Sequence, residues 1–74
     1  MDREMELAHL EQAEQDLADA YRRIERQRRL IADLRDGGHP TDVAEKLLET
    51  MLTVTRAMEG HRDVILGMLS QEHL

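Results

Sequence analysis

Side chains able to do chemistry are sparse in this chain and fall into three groups. Glu6 and His9 are three residues apart, a spacing that sets a carboxylate and an imidazole on one face of a helix. Glu72 and His73 could lie near the same end of a folded chain. A carboxylate-bridged di-metal centre in a helical bundle needs such a Glu-x-x-His unit twice, with two further glutamates, and the second unit is absent. Glu6 and His9 therefore read as a solvent-facing pair, and no metal is expected. His61, in "EGHRDVIL", is the second group. Apolar periodicity puts it on an internal seam opposite Leu17, which calls for an acceptor from a nearby backbone or side chain. A histidine on a helical scaffold raises a role as a phosphorelay accessory, but such modules expose their histidine and "EGHRDVIL" lacks their usual motifs. Titration of His61 near neutral pH would make assembly pH-dependent.

The third group is "RRIERQRRL", residues 22–30, which holds five of the ten basic residues against one acid. Arg22, Arg23, Arg26, Arg28 and Arg29 could contact phosphates, which makes a small nucleic-acid-binding regulator the alternative function. The plainer expectation is a solvated face neutralised by Asp19, Glu25, Asp33 and Glu49. A basic band meeting a neighbour's acidic N-terminal segment lies between the two, since residues 2–19 carry seven acids and Arg3 as the one base. A formal charge of −6 disfavours generic binding to nucleic acid or an anionic membrane. Tyr21 is the one aromatic residue, so stacking platforms and aromatic cofactor pockets are missing. With no phosphate loop, nucleophile elbow or paired carboxylates to recognise, the chain is expected to be no enzyme and to hold no cofactor. Without cysteine it has neither disulfides nor thiolate metal sites, which favours the cytoplasm, and no run is long and apolar enough to span a bilayer.

The elements that must position these groups are two. "DGGHPT", residues 36–41, is the only strong punctuation: Gly37 and Gly38 can end a helix in the left-handed conformation, and His39 precedes proline. Thr41 is a plausible N-cap, with Asp42 in the following first turn. The expected fold is all-α: one domain over residues 1–74, with helix one at about 3–36, a turn at 37–41 and helix two at about 42–72. These form an antiparallel hairpin about 45 Å long. Helix one repeats Leu10, Ala13, Leu17, Ala20, Ile24, Gln27, Ile31 and Leu34 at alternating spacings of three and four. Helix two repeats Ala44, Leu47, Met51, Val54, Met58, His61, Ile65 and Met68. Folded at the turn, the stripes meet in pairs whose numbers add to about 78, small residues repeatedly against large ones. Gln27 reads as a polar register device, and Met51, Met58 and Met68 as core filling.

One seam is a thin core for 74 residues. Beside it on helix two runs a stripe of small residues, Thr50, Thr53, Ala57, Gly60, Val64 and Gly67, with Leu48, Leu52, Leu66 and Leu69 on the other flank. The polar strip around Glu45, Glu49, Arg56, Glu59 and Asp63 is narrow. A helix apolar around most of its circumference is covered on several sides. Thr53, Ala57, Gly60, Val64 and Gly67 are therefore the candidate self-association face, and a homodimer forming a four-helix bundle is the expected assembly. A helical protein partner is the further expectation.

The segments "MDREMELAHLEQAE", "RRIERQRRLIADLRDGGHPTDVAEKLLETM" and "HRDVIL" resemble small uncharacterised helical-hairpin proteins of alphaproteobacteria. The resemblance covers most of the chain and implies a helical hairpin in a bacterial cytoplasm, with no activity or site attached. In outline the architecture is also similar to the Spo-zero-E-type phosphatases. Their Ser-Gln-Glu-Leu-Asp signature is missing, since "SQEHL" at the C-terminus matches only three residues and sits outside the corresponding helix, and their function does not carry over. The leading expectation is a non-enzymatic, self-associating helical interaction module.

Overall fold

The computed structural model describes residues 2–71. It contains α1 (Arg3–Asp36) and α2 (Asp42–Gln71) packed against each other along their length. The chain measures 57 × 15 × 14 Å, longer than expected because the 34 residues of α1 alone span about 51 Å at the helical rise. Residue 72, the expected end of helix two, lies outside the described residues, as do Glu72 and His73, whose expected place is near Glu6.

Local chemistry explains both ends of α1 and the start of α2. The Asp2 carboxylate accepts the Glu4 N–H at 2.9 Å, satisfying a donor that the first turn leaves unpaired. At the far end of α1, the His39 N–H reaches the Leu34 carbonyl at 2.8 Å and the Gly38 N–H reaches Arg35 at 3.0 Å. This is the paired Schellman closure, which needs a left-handed residue just past the helix. Gly38 supplies it with φ of 74°, whereas Gly37 stays at −82°. Only one glycine of the pair is thus used for its left-handed freedom. The Thr41 carbonyl accepts the Glu45 N–H at 2.8 Å, so Thr41 stands at the cap position of α2.

The α1 stripe is the expected one. Leu17, Ile24 and Ile31 are buried, and Leu10, Ala13, Ala20, Gln27 and Leu34 are half-buried between them. The stripe extends one step to Glu6, which is only 7% exposed. The expected solvent-facing pair is therefore split: Glu6 points into the seam while His9 is exposed. The reason is spacing, since Glu6 stands four residues before Leu10 on the same face.

The α2 seam differs from expectation. It runs through Ala44, Leu48, Met51, Thr55, Met58, Arg62, Ile65 and Leu69, all buried or half-buried. Ala44, Met51, Met58 and Ile65 belong to both patterns, but Leu47, Val54 and His61 are exposed and yield their places to Leu48, Thr55 and Arg62. Polar satisfaction favours this rotation. The buried Thr55 hydroxyl donates to the Met51 carbonyl one turn back at 2.7 Å, whereas an imidazole at the seam opposite Leu17 would face a side chain with nothing to accept its proton. Arg62 can lay its aliphatic stem in the seam and keep its guanidinium on Asp63, 3.2 Å away.

Candidate self-association surface

The two long sides of the hairpin are chemically unlike. On one side polar links cross between the helices. The Tyr21 hydroxyl donates to Glu59 at 2.5 Å, and Arg35 pairs with Glu45 at 2.8 Å. Both pairs have numbers adding to 80, close to the expected register. The carboxylate acceptor holds the Tyr21 phenol above its ordinary pKa of 10.0, with desolvation and the Glu59 charge adding to the effect. Within the seam, Gln27 donates to the Ala44 carbonyl at 2.9 Å, tying mid-α1 to the first turn of α2.

The opposite side is an open apolar groove. One section of about 330 Å³ lies between Ala20 and Arg23 of α1 and Thr50, Met51 and Val54 of α2. A second, of about 300 Å³, continues it past Ala13 to Ala57 and His61, and both sections touch Asp16, Val54 and Met58. The alanines of α1 leave the space. On α2, Thr50, Val54, Ala57 and His61 line the groove and belong to a longer stripe at alternating spacings of four and three: Val43, Leu47, Thr50, Val54, Ala57, His61, Val64 and Met68. Val43 is 86% exposed, Val64 60%, Val54 54% and Leu47 51%. Each member of this stripe stands one residue before a member of the seam, so the stripe lies about 100° around α2 from it at 3.6 residues per turn, close to the angle between the two neighbours of a helix in a four-helix bundle.

The candidate face foreseen from sequence lies on the same outer part of α2. Ala57 and Val64 belong to the stripe itself. Thr53, Gly60 and Gly67 stand along its outer flank, all exposed. A Cβ built on Gly60 or Gly67 would meet nothing within 4 Å, so no close approach within the hairpin accounts for either glycine.

The arginine cluster is exposed throughout, at Arg22, Arg23, Arg26, Arg28 and Arg29. Arg22 pairs with Asp19, but the foreseen partnership of Glu49 with Arg28 and Arg29 does not form. Glu49 stands about 150° around α2 from the seam, on the face away from α1, and pairs with Lys46 at 3.8 Å. His61 is exposed on the groove wall rather than enclosed in the seam. No cluster of three potential metal ligands occurs among the described residues, nor does any described helix have the length and apolarity to cross a membrane.

Sequence reasoning missed the Tyr21–Glu59 link and the buried Thr55. The first was signalled by two facing positions near the common register. The second could have been found by asking which polar residue of α2 can satisfy itself within its own helix. The chain matches no protein-family description, no curated protein and no solved structure.

Proposed function

We propose that this protein is a non-enzymatic, self-associating helical interaction module that covers the outer surface of α2 with a second copy, forming a four-helix bundle. The observation that carries this reading is the exposed stripe of Val43, Leu47, Val54 and Val64 beside an unfilled groove. Surface area supports it. A compact monomer of 8.6 kDa exposes about 4,700 Å², whereas this hairpin exposes 5692 Å². The surplus of about 1,000 Å² matches the roughly 800 Å² that each partner covers in a standard interface. The absence of cysteine accords with a reducing compartment, and the cytoplasm is the proposed location.

Light scattering after gel filtration, over a range of concentrations, tests the reading. A mass near twice 8.6 kDa that falls on dilution is expected. A folded monomer at every concentration overturns self-association and makes a different helical protein the occupant.

The unpaired basic cluster favours one second reading. Arg23, Arg26, Arg28 and Arg29 are exposed and make no ion pair among the described residues, as phosphate-binding side chains would be. That reading requires retention on DNA or RNA at low salt that weakens as salt rises and is lost on charge reversal at Arg26 and Arg29. No retention at low salt removes it.

A further inference from the structure

We infer that the second copy lies antiparallel, with the two-fold axis crossing α2 midway between Thr55 and Arg56. This geometry rests on the self-association reading and specifies its register. Reversing a helix exchanges the order of the four- and three-residue spacings, so a stripe with both spacings meets its reversed copy with the two position types facing one another. About that axis, Leu47 of one copy faces Val64 of the other, Val54 faces Ala57, Val43 faces Met68 and Thr50 faces His61. Each layer occurs twice.

Three features of the stripe select this register. Every one of its eight members finds an opposite number, so the whole length from residue 43 to 68, about 38 Å at the helical rise, is covered. In the apolar layers a larger side chain meets a smaller one, as close packing of two helices requires. Thr50 and His61, the two polar members, meet each other, so a hydroxyl and an imidazole pair where each would otherwise face hydrocarbon. A parallel pairing would instead put His61 against His61 and repel when both are charged.

The glycines acquire a role in the same geometry. Lys46, Thr53, Gly60 and Gly67 form the outer flank of the stripe, and reversal lays Thr53 of one copy beside Gly60 of the other and Lys46 beside Gly67. Absence of a side chain at Gly60 and Gly67 gives those neighbours room.

Introduced thiols test the register, because the native chain has no cysteine. Leu47→Cys and Val64→Cys are made separately, with Met5→Cys, exposed and remote from the stripe, giving the collisional background. Circular dichroism checks that each stays helical, and each is oxidised alone and in mixture. In the antiparallel register, two Leu47 positions stand about 25 Å apart along the axis, far beyond the reach of a disulfide. The expected result is a disulfide dimer in the Leu47→Cys and Val64→Cys mixture only. Efficient coupling of Leu47→Cys to itself overturns the antiparallel register in favour of a parallel one while leaving self-association standing. A native dimer with no coupling above background in any combination shows that another surface is used. A native chain that stays monomeric in light scattering removes the underlying reading as well.

Discussion

Tyr21 makes the hairpin sensitive to alkaline pH. Its hydroxyl donates to Glu59, so the bond exists only while the phenol is protonated, and the folded-state pKa lies above the ordinary 10.0. A group whose pKa is raised by folding contributes its full stability below the unfolded value and loses it as pH rises through the folded one. The melting temperature should therefore carry no pH dependence from this residue near neutrality and fall above about pH 10, with tyrosinate absorbance rising in step. Tyr21→Phe should flatten that alkaline limb; an unchanged limb would assign it to other groups. Gly38 is the other residue whose identity decides a local structure. Gly38→Ala forces a Cβ into a left-handed position at a cost of about 1–2 kcal/mol, whereas Gly37, at φ of −82°, has no such backbone restriction, and its added Cβ, 2.9 Å from the His39 ring, is relieved by turning that exposed side chain. Urea unfolding of the two alanine variants should separate them, with Gly38→Ala the less stable.

At the scale of the element, α2 carries more apolar circumference than α1 alone can cover. Its sequence contains two interleaved stripes that share Ala44, Met51, Met58 and Ile65. Which of them forms the seam depends on a rotation of about half a residue step. The helix turns Leu48, Thr55 and Leu69 inward and leaves Leu47, Val54 and His61 outside. Gly60 reports whether that outer surface is covered. In an isolated hairpin its surroundings are open, so Gly60→Leu should stabilise the monomer by up to about 1 kcal/mol through helix propensity. Beside a neighbouring copy, the same leucine must displace Thr53 and weaken association. Melting measured below and above the association range should therefore shift in opposite directions. A stabilising effect at all concentrations would place Gly60 on a free surface.

For the whole molecule, the narrow seam and large exposed area make stability a question of concentration. A dimer is stabilised by mass action, so the melting temperature should rise with protein concentration, and a concentration-independent value would contradict coupled folding and assembly. Val54→Asp places a carboxylate at a site half exposed in the single hairpin, which the monomer tolerates. In the proposed interface, each copy would bury an unpaired charge at a cost of several kcal/mol. The dimer dissociation constant should rise roughly a hundredfold or more, while helix content measured by circular dichroism stays constant. An unaltered dissociation constant would exclude Val54 from the contact.

Sequence by itself determined the two helices, the turn between them and the α1 seam from Leu10 to Leu34, though not its extension to Glu6. Those features are local: Asp2 caps its own first turn, "DGGH" closes α1 by bonds within six residues, and a single well-separated apolar stripe admits one buried face. Tertiary structure alone decided the rotation of α2, and with it the exposure of His61 and the burial of Thr55. The physical reason is near-degeneracy. Two adjacent stripes of similar hydrophobicity differ in burial energy by too little for periodicity to choose between them. The choice falls to how each polar side chain is satisfied once a second helix is present: Thr55 bonds its own helix, Arg62 reaches Asp63, and Gln27 reaches the Ala44 carbonyl.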